Sequence, residues 1–118
     1  MRKFHKDEGF TLVELMVVVL IIGILVAVAI PVFNIARARA QERSCHANQR
    51  TLDGASQVYV ADDVGNALAD LNGAVSVWGA VLVPDFVAVA PECPTNGGSY
   101  TAAAGQFTCT DGSHGRYQ

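Results

Sequence analysis

The fold of this chain is decided by the stretch GFTLVE at residues 9–14 and by the apolar run LMVVVLIIGILVAVAI that follows it at 15–30. The run contains no charged or polar side chain, and Gly23 is its only interruption. As an α-helix, residues 10–32 would extend about 35 Å at about 1.5 Å per residue, enough to cross a hydrocarbon core of about 30 Å. Because a buried soluble helix of this size normally keeps one polar stripe, the pattern predicts a membrane-spanning helix.

Glu14 is the one charged residue within this predicted helix. A carboxylate inside a membrane segment costs about 2.5–3.5 kcal/mol near the bilayer centre and less near an edge, so it indicates a function and requires a partner. The chain has no basic residue between Glu14 and Arg37. The positive partner must therefore come from elsewhere, and another copy of the same chain could supply it.

The same N-terminal residues carry a family resemblance. A short basic leader ending in Gly9, then FTLVELM at 10–16 and a long apolar run, resembles the type IV prepilins and their relatives, the pseudopilins and competence pilins. The resemblance covers about residues 6–32. Gly23 and Pro31 also fall where such proteins have a helix-loosening glycine and proline, which implies the same loosening on assembly here.

The resemblance implies a processing and assembly pathway. A prepilin peptidase would cut between Gly9 and Phe10 and methylate the new amine of Phe10, and Glu14 would then pair with the Phe10 amine of a neighbouring subunit. An unpaired buried carboxylate is costly, so this pairing would set the register of the subunits. The implied partners are further copies of the chain, other pilin-like subunits, the inner-membrane assembly platform and, before assembly, membrane lipid.

The charge pattern leaves the membrane orientation open. The leader at 1–9 carries a net charge of +1, and basic residues lie on both sides of the run, so the positive-inside rule gives a near tie. Only the resemblance places the leader in the cytoplasm. The alternatives are an uncleaved single-pass anchor and an ordinary secretory signal cut after the A-x-A pattern at 38–40, although the run exceeds the usual apolar region of about 7–15 residues.

Beyond the run, the sequence predicts an α+β fold with four segments: a leader at 1–9, a transmembrane and assembly helix at 10–32, an amphipathic continuation of that helix at 33–61, and a small head domain at 62–118. Apolar residues at heptad spacing predict one buried stripe on the continuation, surrounded by polar residues that include Gln49. The members of this stripe are Ala38, Cys45, Leu52 and Tyr59, with Ala55 and Val58 beside them.

The head domain is predicted to contain short elements only. Trp78 should pack in its core, on a short helix that ends before Pro84 and presents Val75, Trp78 and Leu82 on one face. Two β-prone runs around a glycine-containing turn indicate a hairpin. The predicted segments are a helical turn at 67–72, the short helix at 74–83, an extended segment at 86–90, hairpin strands at 99–102 and 106–109, and a short polar tail at 112–118.

The chain has three cysteines, an odd number. Cys93 and Cys109 bracket the hairpin, and a disulfide between them would close a loop of about 17 residues and contribute about 3 kcal/mol. Zinc is the rival interpretation of Cys93, Cys109, His114 and perhaps Cys45-His46, but no pair has the close C-x-x-C spacing of a structural site. The sequence therefore favours the disulfide and no metal or other cofactor, with Cys45 as a buried thiol. Pairing of Cys45 with Cys93 or Cys109 stays open.

The order Cys-Pro, Gly-Gly, Tyr and Cys within 84–115 resembles the C-terminal end of short pilins from competence and Gram-positive-type pili.

The chain lacks the G-x-S-x-G, Walker and dinucleotide-binding motifs, which argues against an enzyme. The adjacent acids Asp62 and Asp63 lack the alternating spacing of calcium ligands. After Asp62 the only basic residue is Arg116, which argues against direct nucleic-acid binding.

These features predict a structural subunit that is a single-pass membrane protein first and part of a cell-surface filament afterwards, in a type IV pilus or competence-type filament. One alternative is a pseudopilin of a type II secretion system, although the acidic calcium loop of the major pseudopilins is not seen here. Another is a minor tip subunit that binds a surface or DNA, which predicts an exposed basic or aromatic patch on the head.

Overall fold

A computed structural model describes residues 9–95, 97–112 and 114–117 of the chain, and the leader predicted at 1–8 lies outside these residues. Two compact units divide between Arg37 and Ala38, and each is described separately below. The fold is α+β, as predicted, and its elements are α1 (Leu12–Asp62), a 3-10 turn (Leu68–Leu71), α2 (Val75–Leu82), β1 (Tyr100–Ala103) and β2 (Gln106–Cys109).

In the first unit, the N-terminal part of α1 is exposed along its whole length. The helix is long and apolar enough to cross a membrane, judged by length and composition, and no part of its most apolar window is buried. Helix α1 continues through Gly23 and Pro31. The loosening of the helix at these two residues stays a prediction for the assembled form.

The second unit contains the remainder of α1, whose buried face differs in part from the predicted stripe. The buried residues are Cys45, Gln49, Leu52, Ala55 and Ser56, and Tyr59 is partly buried against the core. The prediction was wrong for Ala38, which is exposed, and for Val58, which is 58% exposed. It was also wrong for Gln49, which was placed among the polar residues beside the stripe.

Gln49 and Ser56 are buried because the head domain satisfies their polar groups. The Gln49 amide donates to the Gly115 carbonyl oxygen at 2.9 Å and accepts from the Tyr117 amide at 3.2 Å. The Ser56 hydroxyl lies 3.2 Å from the Gly105 carbonyl oxygen. A polar side chain with such partners is buried at little cost, and a heptad pattern of apolar residues cannot reveal it.

The core of the head is built around Trp78, as the sequence predicts. Its indole N–H donates to the Tyr100 carbonyl oxygen at 2.9 Å, and its ring meets Phe107 edge-on at 5.3 Å between centroids. Leu82, one turn further along α2, is also fully buried, whereas Val75 lies at the margin with 36% exposure. The hydrogen bond satisfies the polar end of the indole, so the whole ring can be removed from water.

The predicted hairpin is confirmed, with β1 and β2 antiparallel and Tyr100 paired with Cys109. Ala104 and Gly105 form its two-residue turn with φ values of 49° and 75°. Two central residues with positive φ match the twist of the adjoining strands. A Cβ at Gly105 would also lie 2.5 Å from a terminal methyl carbon of Leu68, so a larger residue there would force the Leu68 side chain to move.

The extended segment predicted at 86–90 was wrong. The chain forms turns and bends there, because the amide groups of Phe86 and Val87 both donate to the Leu82 carbonyl oxygen at 2.9 Å. These bonds close a turn directly after α2. The amide groups of Phe86 and Val87 are thus bonded within the turn and do not pair with a neighbouring strand.

Candidate functional site

The start of α1 holds the residues that the sequence predicts for processing and assembly. Gly9 and Phe10 lie before the helix, and the Phe10 side chain is 87% exposed. Thr11 precedes the first helical residue, and Glu14 lies in the first turn. The peptide bond between Gly9 and Phe10 therefore belongs to an exposed segment, while cleavage there and methylation of Phe10 remain predictions.

Thr11 and Glu14 form a capping box at this helix start. The Glu14 amide donates to the Thr11 hydroxyl oxygen at 3.2 Å. In return, one Glu14 carboxylate oxygen accepts from the Thr11 amide and the Thr11 hydroxyl, each at 3.3 Å. Sequence reasoning missed this local role of Glu14, although the T-x-x-E spacing is its usual signal. The carboxylate is held beside the helix N-terminus, close in sequence to Phe10.

A second cluster lies in the head, where three thiols and one imidazole converge. The ligand atoms of Cys45, Cys93, Cys109 and His114 all lie within 4.8 Å of one another. All three cysteines are free thiols in the structure, so the disulfide between Cys93 and Cys109 stays a prediction. His46, which the sequence grouped with Cys45, is not a member, and its Nε2 instead lies 2.9 Å from the His114 carbonyl oxygen.

Helix α1 holds the loop that carries Cys93. The Asn48 amide donates to the Glu92 carbonyl oxygen at 3.1 Å, and the Gln41 amide donates to the Pro94 carbonyl oxygen at 3.3 Å. The carbonyls on both sides of Cys93 are thus bonded to the helix that carries Cys45. These bonds position the Cys93 sulfur against α1.

Burial dominates the electrostatics of the thiols. It raises the pKa of the Cys109 thiol to about 12, and a hydrogen bond with Cys93 acts in the same direction. It also raises the pKa of Cys45, against the opposing effect of a hydrogen bond from the Tyr100 hydroxyl. Gly98 permits the close packing, since a Cβ there would lie 3.3 Å from the Cys93 Cβ and 3.6 Å from the Cys109 sulfur.

The C-terminal tail, which the sequence presents as a short polar segment, is anchored to α1 and carries His114 to the cluster. One carboxylate oxygen of Asp53 accepts from the Arg116 guanidinium at 2.8 Å and from the Tyr117 hydroxyl. The other accepts from the Phe107 amide at 2.9 Å. The sequence contains one signal for this ion pair: Arg116 is the one basic residue after Asp62. Because the chain has several acidic residues, that signal could not identify Asp53 as the partner.

Comparison with known proteins defines the class of the N-terminal segment. Residues 4–30 match the family model of the prokaryotic N-terminal methylation motif. The chain is 42% identical over 57 residues to the type IV major pilin protein PilA of Myxococcus xanthus, across 48% of this chain and 26% of that protein. It is 38% identical over 61 residues to the competence protein ComGC of Halalkalibacterium halodurans, across 52% of this chain and 60% of that protein.

A third relative is the type IV major fimbrial protein FimA of Dichelobacter nodosus, 65% identical over 38 residues, across 30% of this chain and 24% of that protein. The chain thus spans between about a quarter and three fifths of the length of these relatives. No solved structure matches it.

These findings confirm the predicted resemblance: the N-terminal part of the chain is similar to type IV pilins and a competence pilin, and it carries the N-terminal methylation motif. The relatives carry the names of pilin, fimbrial and competence proteins rather than of enzymes, which agrees with the expectation of a non-enzymatic protein.

Proposed function

We propose that this chain is the precursor of a filament subunit. A prepilin peptidase cuts it between Gly9 and Phe10 and methylates the Phe10 amine, and the mature chain polymerises through the helix at 10–32 into a type IV pilus or competence-type filament. The observation that carries this proposal is the exposed apolar surface of α1 from Leu12 to Ile35, most of which lies within the residues that match the methylation motif. Residues 33–61 and the head at 62–118 then form the outer part of the subunit.

The exposed surface of α1 requires a partner other than water. Large apolar side chains from Leu12 to Ile35 remain exposed around the helix. Monomeric soluble proteins rarely leave a contiguous apolar patch larger than a few hundred Å² in water. Membrane lipid covers this surface in the single subunit, and helices of other subunits cover it in the filament. Transfer between these two apolar environments needs little net change in hydration, which makes the helix suitable for assembly out of a membrane.

Glu14 gives this assembly its register. In the core of a bundle of apolar helices, a carboxylate without a counter-charge is strongly disfavoured. Cleavage after Gly9 creates an amine at Phe10, and the same amine on a neighbouring subunit supplies the missing positive charge. The capping box with Thr11 holds the Glu14 carboxylate at the start of the helix. The Phe10 amine of the neighbouring subunit would bind the carboxylate there.

The mature subunit is a single-pass membrane protein before assembly and part of a surface filament after it, and it works with the assembly platform and other pilin-like subunits. Direct nucleic-acid binding by the head is not part of the proposal, because Arg116 is paired with Asp53. A pseudopilin of a type II secretion system would share the processing steps, and it differs in remaining within the cell envelope.

The first experiment is mass spectrometry of the mature N-terminus in membrane fractions and in filaments sheared from the cell surface. We expect an N-methylated Phe10 in both fractions. N-methylated Phe10 in membranes but never in sheared filaments would replace the pilus with the pseudopilin. A start at Gln41 or an intact Met1 would contradict the processing step and remove the role assigned to Glu14.

A further inference from the structure

The cluster of three thiols and one imidazole has the composition of a closed zinc site, and its ligand atoms lie near the spacing of such a site. Tetrahedral zinc with bonds of about 2.3 Å to sulfur and about 2.0–2.1 Å to nitrogen keeps neighbouring ligand atoms about 3.5–3.8 Å apart. The Cys93 sulfur lies 3.4 Å from His114 Nδ1, and all four ligand atoms lie within 4.8 Å of one another. We propose that Cys45, Cys93, Cys109 and His114 together bind one zinc ion.

The surroundings of His114 present the correct ring nitrogen to the metal. Its Nε2 lies 3.1 Å from the Thr95 hydroxyl oxygen, which can accept the Nε2 proton. This tautomer leaves the lone pair on Nδ1, the nitrogen that faces Cys93. A hydrogen bond from the second ring nitrogen is the usual way in which proteins orient a histidine ligand. His46 holds the backbone of the same residue through the 2.9 Å contact to its carbonyl oxygen.

The surroundings of Cys45 supply hydrogen-bond donors to its sulfur. The Tyr100 hydroxyl donates to the Cys45 sulfur at 3.5 Å and accepts from the Asn48 amide at 3.1 Å. The Gln49 amide lies 3.8 Å from the same sulfur. Zinc binding converts three thiols to thiolates and releases three protons to solvent, so the loaded site carries one net negative charge. Donors at a ligand sulfur offset this residual charge.

The presence of Cys45 and His114 in the cluster favours a bound metal over the disulfide that the sequence favours. A bond between Cys93 and Cys109 would use two of the four groups and would assign no role to Cys45 or to the orientation of His114. One zinc ion uses all four. Thiolate and imidazole ligands in a tetrahedral set also select zinc over calcium or magnesium, which prefer oxygen.

The site would join four separate parts of the second unit. Cys45 lies on α1, Cys93 in the loop after α2, Cys109 at the end of β2, and His114 in the tail. A domain of this size has a thin core, and small domains commonly rely on a metal or disulfides for stability. The zinc ion would therefore contribute to folding rather than to catalysis, since all four positions are occupied by protein ligands.

The test uses the full chain, purified in detergent with a reductant and without chelator. We expect about one zinc ion per chain by elemental analysis. Replacement by Co²⁺ should produce thiolate charge-transfer absorption and tetrahedral d–d bands, and X-ray absorption should show three sulfur neighbours and one nitrogen neighbour. Removal of the metal should lower the unfolding temperature of the head.

Variants then assign the ligands. Cys109→Ser and His114→Ala should each weaken zinc affinity by about tenfold or more, whereas Val64→Ala, at a fully exposed position of the same unit, should retain one zinc ion. Thr95→Val should weaken binding by about 10–100-fold, as loss of an outer hydrogen bond commonly does, and Thr95→Ser should restore it. If a ligand variant fails to fold, the cobalt spectrum and X-ray absorption of the unaltered chain decide the matter.

Three results would overturn the proposal. The first is a Cys93–Cys109 link found by non-reducing peptide mapping after thiols are trapped in intact cells. The second is a cobalt spectrum without thiolate charge transfer. The third is a zinc content and a cobalt spectrum that Cys109→Ser and His114→Ala both leave unchanged. None of these outcomes bears on cleavage at Gly9 or on filament assembly, so the two proposals can fail independently.

Discussion

The two units of this chain differ in how much of their apolar surface the chain itself buries. In the first, every described residue from Gly9 to Arg37 is exposed, although nearly all of the side chains are apolar. In the second, Trp78, Tyr100 and Phe107 are completely buried by the chain itself. The chain itself buries the core of its second unit, whereas in the proposed function lipid or other subunits cover the N-terminal helix. The contrast teaches that a large apolar surface left exposed by one chain indicates an interaction with another molecule.

The two units also differ in how they satisfy their polar groups. Glu14 bonds to Thr11, three residues away. In the second unit, Asp53 bonds to Arg116 across 63 residues, and His46 contacts the His114 backbone across 68. Chemistry in the first unit is therefore contained in a short motif, while chemistry in the second depends on the complete fold.

The largest effect is expected from Gly9→Val, which places a branched side chain beside the proposed cleavage site. The precursor should remain uncut, and the methylated Phe10 N-terminus should be absent by mass spectrometry. Gly54→Ala is the control, because a Cβ at Gly54 meets no atom within 4 Å and processing should be normal. Efficient maturation of Gly9→Val would contradict the proposed site.

Glu14→Gln separates the two roles of this residue. Glutamine also serves at this position of a capping box, so the helix start is kept while the charge is lost. Membrane insertion and cleavage should be normal, but incorporation into filaments should fall by about tenfold or more, since breaking a buried charge pair costs about 3–5 kcal/mol. Quantitative immunoblots of sheared filaments measure this.

Thr11→Ala is the matched variant for Glu14→Gln. It removes the cap, at about 1 kcal/mol, but keeps the carboxylate. Incorporation should therefore stay close to normal. An equal loss of filaments in both variants would assign the effect to the cap and not to the charge.

Trp78→Ala tests how much the core of the second unit contributes to its stability. The loss of a buried aromatic side chain should lower the free energy of unfolding of the head by about 3–5 kcal/mol. Chemical denaturation followed by circular dichroism in detergent measures it, and Val64→Ala, at a fully exposed position, should have no effect. Insertion and cleavage of the Trp78 variant should continue, because the first unit does not depend on this core.

The smallest effect is expected from Asp53→Asn. The amide keeps an oxygen for the Phe107 N–H, but its NH2 group replaces the oxygen that accepts from Arg116 and Tyr117. Because the pair is partly exposed, the expected loss of stability is about 1–2 kcal/mol, less than for Trp78→Ala. Addition of Arg116→Gln should cause little further loss, and fully additive losses in the double variant would show that the two side chains are not coupled.

Local patterns predicted most of the elements. The long helix, predicted to end at 61 and observed to end at Asp62, was expected, as were the short helix around Trp78 and the hairpin, since each rests on periodicity or turn residues within a few positions. The extended segment at 86–90 was wrong because bonds to the Leu82 carbonyl oxygen, invisible in the sequence pattern, close a turn. The burial of Gln49 was missed because its partners lie in the tail.

The sequence by itself determined the apolar helix, because a run of apolar side chains broken only by Gly23 favours a membrane-spanning helix whatever the fold of the rest of the chain. The motif that contains Gly9 and Glu14 can also be read from the sequence, because its residues are close together in the chain. Only the tertiary structure decided that Cys45, Cys93, Cys109 and His114 meet. Their spacing in the chain has no metal-binding pattern, and their meeting depends on hydrogen bonds from α1 to the Cys93 loop and to the tail. Long-range contacts of this kind are made by packing, so the second site becomes visible only when the head has folded.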